Sequence, residues 1–295
     1  MKKPNLFIVG APKSGTTAMH EFLKEHPEVF MCEPKEPGYF AKDFKLKPMS
    51  KKEYFKYFKR AKNERIVGES STGYLRSKVA PKLIKEFNPQ AKIIIMLREP
   101  VDFLYSFHSQ KVFNLHEPVK DFEKALSLEK QRRKGNYLPK GTKSPSKLFY
   151  SEWAKFSEQV KNYYKYFNKE QVKIILYDDF KADPIKVYNE VLKFLGVSPF
   201  KPTFKYVNAN KYVKTPGVKR FLDKIGLSGK LIEIIPESVY LKLVKPVRKL
   251  MFEEKPRPKL SNTLRKRLMK EYKPEVKRLS RLLNRDLVSL WGYNL

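Results

Sequence analysis

The sequence predicts one α/β domain, a P-loop-like parallel sheet flanked by helices and followed by a basic C-terminal helical segment. Two patterns carry that expectation. The amino end reads as strand, glycine loop, helix, and apolar β-branched runs then alternate with helical periodicity as far as about residue 195. Strands that alternate with helices form parallel sheets, because each parallel pair needs a crossover connection.

Taken in order, Leu6 to Val9 is a short apolar run ending at Gly10. From about Thr16 to Glu25, apolar Ala18, Met19, Phe22 and Leu23 recur at helical spacing. Ile66 to Gly68 reads as a short strand. Lys92 to Leu97 (KIIIML) is the strongest strand, continuous and β-branched as for a strand covered on both faces. Val172 to Tyr177 is another. Helical patterns fall at Ala80–Phe87, Val101–Val112, Leu148–Phe167 and Pro184–Leu195. Beyond Gly196 the chain is proline-rich and basic, and Leu264 to Leu283 then reads as an amphipathic helix that Pro274 should kink or split. With no internal repeat or low-complexity linker, residues 1–295 are expected to form one domain. Its core spans about 5–195, and a loop-rich basic region with a closing helix spans 196–295.

The formal net charge of +32, from 63 basic against 31 acidic residues, favours polyanionic or phosphorylated partners without choosing among them. Peripheral contact with acidic surfaces is compatible with it. Cys32 is the single cysteine, which excludes an internal disulfide or a cysteine-based metal site. The four histidines show no metal-ligand spacing. The first apolar run is too short for a signal-peptide core, and no stretch approaches a membrane span of about 18 apolar residues. The expectation is a cytoplasmic protein.

The segment GAPKSGTT, Gly10 to Thr17, stands at a strand end and opens a helix. There, backbone N–H groups and the positive helix end favour an anion. A triphosphate-hydrolysing loop would need Gly-x-x-x-x-Gly-Lys-Ser/Thr. Here Thr16 follows Gly15, and the lysine stands earlier, at Lys13. A second candidate anion segment, LREPVDFLYSFHSQ, follows the strongest strand. Its Arg98 is a planar fork suited to phosphate, the alternative being an ion pair with Glu99 or Asp102.

Together these segments resemble the PAPS-dependent sulfotransferases, which carry a sulfuryl group from 3'-phosphoadenosine-5'-phosphosulfate (PAPS) to an acceptor hydroxyl or amine. The resemblance covers Asn5 to Leu195 and returns over Leu260 to Trp291. The resemblance does not place Gly226 to Lys259. It implies that Lys13 stabilises charge on the leaving phosphate and that Ser14, Gly15, Thr16 and Thr17 cradle the 5'-phosphate. It also implies that Arg98 and Ser106 hold the 3'-phosphate, and it implies no metal. EPKEPGYF, Glu33 to Phe40, resembles the Lys-Glu-Pro-His-Phe-Phe segment of glycan sulfotransferases, which makes Glu36 the base that deprotonates the acceptor. Gly38 stands where that pattern has histidine and Ala41 where it has aspartate, so heparan-type specificity does not carry over.

By the same resemblance Ser71, Thr72 and Tyr74 face the acceptor or the sulfuryl oxygens, and Tyr150 lies near the adenine. Lys211 and Lys214 belong to a loop closing over the cofactor. His108 and Glu69 are rival bases. The acceptor is a carbohydrate or a small metabolite or lipid, with no specific nucleic acid implied. Two other readings stand beside this one. A nucleotide kinase or NTPase would lack the loop lysine and have only Asp178 and Asp179 for Mg²⁺. A non-catalytic nucleic-acid or glycan binder would need lysines clustered with stacking aromatics.

Overall fold

A computed structural model describes residues 2–44, 49–140, 142, 144–203, 211–213, 252–254 and 257–294. Strands β1 (Leu6–Gly10), β2 (Val29–Met31), β3 (Ile66–Ser70), β4 (Lys92–Leu97) and β5 (Val172–Leu176) form one sheet in the order β2-β3-β1-β4-β5. Every pairing in it is parallel, with Phe7 opposite Glu69 on one side and Ile93 on the other. A short antiparallel pair, β6 (Lys211–Val213) with β7 (Phe252–Glu254), joins two parts of the basic region.

Helices α1 (Thr16–Lys24), α2 (Lys51–Phe55), α3 (Ala80–Phe87), α4 (Pro100–Phe113), α5 (Phe122–Ser127) and α6 (Glu129–Arg133) precede β5 in the chain. So do α7 (Tyr150–Trp153) and α8 (Phe156–Tyr164), while α9 (Tyr177–Ala182) and α10 (Pro184–Leu195) follow it. The closing helices are α11 (Asn262–Leu283) and α12 (Leu287–Leu290).

The alternation of side chains along a strand divides the core. Leu6, Ile8, Ile94 and Met96 pack with Met19, Phe22 and Leu192 from α1 and α10. Phe7, Val9, Ile93, Ile95 and Leu97 face the other layer, with Phe103, Tyr163, Leu268 and Val276 from α4, α8 and α11. At about 1.5–3 kcal/mol per fully buried large apolar side chain, these two layers are the main force holding the sheet.

Two helical expectations are corrected. The continuous helix over Leu148–Phe167 is broken, with α7 ending before Lys155 and α8 starting at Phe156. The break has a tertiary cause. Glu275, buried on α11, accepts from the Ser157 amide at 2.6 Å and from its hydroxyl at 2.9 Å, placing a carboxylate at the new helix start. The split at Pro274 is the second correction, because α11 runs as one helix from Asn262 to Leu283 with Pro274 inside it. An interior proline costs roughly 3 kcal/mol. Burial of Leu268, Tyr272, Val276 and Leu279, together with the Glu275 anchor, offsets that cost.

The chain end is tied to the sheet through two aspartates. Asn284 ends α11 in the left-handed conformation, φ 48°. Arg285 then forks onto Asp179 at 2.5 and 2.8 Å, and Trp291 Nε1 donates to Asp178 at 2.9 Å. Both carboxylates that an Mg²⁺-dependent reading would need are therefore engaged in fastening the C-terminus.

Candidate active site

The site is assembled at the carboxyl ends of β1, β3 and β4, the usual ligand edge of an open parallel sheet. Gly10 ends β1 with φ +144°, and a Cβ there would stand 2.8 Å from both the Leu75 Cβ and the Thr72 carbonyl oxygen. Glycine is thus required for the loop to approach the 72–75 turn. Gly15 opens α1 with φ +90°, and the first turn has neither an acidic residue nor a side-chain cap. With no side-chain cap, the first amides of this helix suit an anion. Ser14 and Thr16 are buried, and Thr17, at the exposed edge, accepts from Lys35 Nζ at 3.0 Å.

Besides Lys35, three more cations converge on this loop: Lys13, Arg98 and Arg257. Arg98 leaves the end of β4, donates through Nη1 to the Lys13 carbonyl at 3.3 Å and packs 4.7 Å over the Tyr177 ring. Ser106, buried two turns into α4, accepts from Arg257 Nη2 at 3.2 Å, and the Arg257 guanidinium lies 5.0 Å over Tyr105. Burial, and then the charges of Arg257 and Arg98, hold the Lys13 ammonium below its ordinary pKa. Among the described residues no carboxylate pairs with Lys13.

The alternative of Arg98 as a structural ion pair finds little support. Its Asp102 contact is 3.9 Å, while Asp102 also pairs with Arg265. Glu99 caps α4, accepting from the Val101 and Asp102 amides at 2.8 and 2.7 Å. Arg257 was not foreseen. It stands within the Gly226–Lys259 stretch that motif spacing could not place, and its basic character was the only signal in the sequence.

On the other side of the loop, Glu36 adopts φ 63° and is exposed. Thr72 holds both of its oxygens, the amide donating to Oε2 at 3.1 Å and the hydroxyl to Oε1 at 2.9 Å. Glu36 borders a cleft of about 400 Å³ whose other walls include Pro12, Phe44, Phe107, Lys111 and Trp153. The carboxylate thus lies between the anion loop and a pocket large enough for a small molecule or a sugar unit.

Several expected site residues lie elsewhere. Tyr150 is fully buried, its hydroxyl donating to Glu117 at 2.9 Å. Glu117 is in turn bound by Arg132 at 2.6 and 2.8 Å, so Tyr150 belongs to a buried ion-pair network and has no surface to offer an adenine. The Ser71 and Tyr74 hydroxyls turn inward onto Glu69, at 2.7 and 3.1 Å, and Tyr54 adds a third donor at 2.6 Å. All three predicted acceptor residues line the cleft, but the Ser71 and Tyr74 hydroxyls are bonded to Glu69 and the Thr72 hydroxyl to Glu36. Glu69 is completely buried and His108 Nε2 lies 2.9 Å from the Val119 carbonyl, so neither rival base faces the cleft. Lys211 falls in β6, and Lys214 lies outside the described residues.

Burial raises the Glu69 pKa from 4.5 to about 7 despite its three hydroxyl donors. A raised folded-state pKa stabilises the fold below the unfolded value, and that contribution is lost as pH rises through the folded one. Denaturant unfolding should therefore show stability falling between about pH 4.5 and 7, by roughly 3 kcal/mol for this group. Glu69→Gln should flatten that slope, and an unchanged slope would assign the dependence to other groups.

A parallel sheet whose carboxyl edge gathers Lys13, Arg98 and Arg257 near a helix start, with a carboxylate beside an open cleft, is an α/β arrangement suited to an anionic ligand. The chain belongs to the sulfotransferase family, since the family model described as "Sulfotransferase domain" matches residues 3–224. It is similar to the bifunctional heparan sulfate N-deacetylase/N-sulfotransferase 4 of Mus musculus, 28% identical over 204 residues. That match covers 66% of this chain and 22% of the relative. Human bifunctional heparan sulfate N-deacetylase/N-sulfotransferase 3 gives 28% over 210 residues with the same coverage. The chain thus spans about a fifth of the length of these curated relatives. The crystal structure of a sulfotransferase from Alicyclobacillus acidocaldarius superposes with a TM-score of 0.73 at 27% identity, covering 98% of this chain and 99% of the other. Among the described residues of this chain no helix is long and apolar enough to cross a membrane.

Proposed function

We propose that the sulfuryl donor is PAPS and that the acceptor is a hydroxyl or amine bound in the Glu36 cleft. The observation that supports this most is the convergence of Lys13, Arg98 and Arg257 at the uncapped start of α1, with no carboxylate paired to Lys13. Cations placed so close repel one another, and a multiply charged anion removes that cost. A nucleotide phosphorylated at both ends fits two groups of donors: the α1 amides with Lys13, and Arg98 with the Ser106–Arg257 pair.

Bound PAPS supplies a sulfur whose bond to the 5'-phosphate oxygen breaks as the bond to the acceptor oxygen or nitrogen forms. Glu36 takes the acceptor proton, held in place by the two Thr72 donors. Lys13 donates to the oxygen of the departing phosphate, which keeps the bonding electron pair. The α1 amides hold the same phosphate, preorganised toward charge that grows during transfer. The heparan sulfate enzymes among the relatives support a carbohydrate as one acceptor class. Small metabolites and lipids share the required hydroxyl or amine.

Calorimetric titration with the product nucleotide 3'-phosphoadenosine-5'-phosphate (PAP) and with ATP tests the donor. PAP should bind about tenfold or more tightly than ATP, and a preference for ATP would overturn the reading. Arg98→Ala should weaken PAP by roughly 2–5 kcal/mol, as when one side of a buried charge contact is removed. Adenosine 5'-phosphosulfate, which lacks the 3'-phosphate, should lose little. Equal weakening of both ligands would make Arg98 structural.

A further inference from the structure

We propose that Lys111 and Lys147 select an acceptor bearing an anionic group on a six-membered ring, the anion set against the two ammonium groups and a face of the ring against the aromatic wall. The inference rests on the cleft being the acceptor site. Lys111, on α4, is half-buried, and its Nζ lies 4.5 Å from the Phe107 ring centroid and 5.7 Å from that of Trp153. Neither Lys111 nor Lys147 has an ion-pair or side-chain hydrogen-bond partner among the described residues. Glu36 is the one carboxylate among the residues lining the cleft, and Thr72 already occupies both of its oxygens. Arg76, stacked between Phe44 and Trp153 at 4.4 and 4.5 Å, adds positive charge behind the same wall.

An ammonium group drawn from water against aromatic rings, beside two further cations, is poorly compensated. Its pKa is pushed down to about 8, first by burial and then by Lys147 and Arg76. Cation–ring contacts return only part of the lost hydration. A ligand anion would restore the rest, and Phe44, Phe107 and Trp153 offer faces for a ring. A carboxylated phenol and a uronate-type sugar share this chemistry.

The test uses the whole chain saturated with PAP, so that ligands bind without reacting. Two pairs matched in shape are titrated: 4-hydroxyphenylacetate with 4-hydroxyphenylacetamide, and methyl glucuronide with methyl glucoside. In at least one pair the acid should bind about tenfold or more tightly than its neutral counterpart, and the pair that responds identifies the ring. Lys111→Met with Lys147→Met keeps the apolar stems and should bring that ratio close to one, with the PAP affinity and the unfolding temperature unchanged. Equal binding of acid and neutral members, no binding by either pair, or a ratio that survives the double substitution would overturn the inference. Failure of PAP to bind the unaltered protein would instead overturn the donor reading, and the two failures are read in separate titrations.

Discussion

Glu36→Gln is expected to lower turnover by about 10²–10⁴-fold, the usual contribution of a positioned base. Glutamine keeps the shape and can still accept from the Thr72 amide and hydroxyl, but it cannot take a proton from the acceptor. PAP affinity should stay within a few-fold of wild type, because Glu36 stands on the cleft side of the loop, away from Arg98 and Arg257. A nitrophenol acceptor should recover part of the rate, since its hydroxyl needs less help to lose its proton. Steady-state kinetics with labelled PAPS, alongside PAP calorimetry, separate these outcomes. A rate within a few-fold of wild type on the preferred acceptor would remove Glu36 from the base role. The structure narrows the replacements, because Glu69 is enclosed by three hydroxyls and His108 is bonded to a backbone carbonyl.

Lys13→Ala is expected to lower kcat by about 10²–10³-fold, the scale of losing one donor aimed at developing charge. PAP affinity should change much less. Removing Lys13 deletes one attractive contact to the nucleotide and also relieves its repulsion with Arg98 and Arg257, and the two effects oppose each other in the ground state. Only in the transition state, where the leaving phosphate gains charge, is the lost donor uncompensated. Equal losses in kcat and in PAP affinity would reduce Lys13 to ground-state binding.

Local chemistry made the glycine loop and the strand end at Arg98 legible. The loop from Gly10 to Thr17 and the strand ending at Arg98 lie within continuous stretches whose periodicity and glycine positions are set by near neighbours. Glu36 could be proposed as a base because Lys35, Glu36 and Pro37 match a known pattern without a gap. Hydroxyl residues were harder, since the same Ser-Thr-Gly-Tyr run can face a ligand or a buried carboxylate. The Ser71 and Tyr74 hydroxyls bond Glu69 while that of Thr72 bonds Glu36, a choice made by packing around β3.

What the linear order of residues determined is the parallel α/β sheet, the glycine loop at the end of its first strand, and the sulfotransferase family. What it left open depends on charges brought together from distant parts of the chain. Arg257 reaches Ser106 across 151 residues, Glu275 caps a helix 118 residues away, and Trp291 and Arg285 claim Asp178 and Asp179. No window of sequence contains both partners of such a pair. Periodicity reports which face of an element is apolar, but not which polar group another element will bring to its end. That pairing is decided by the packing of α11 against α4 and α8, driven by apolar burial. The polar contacts then take whatever register the buried side chains impose.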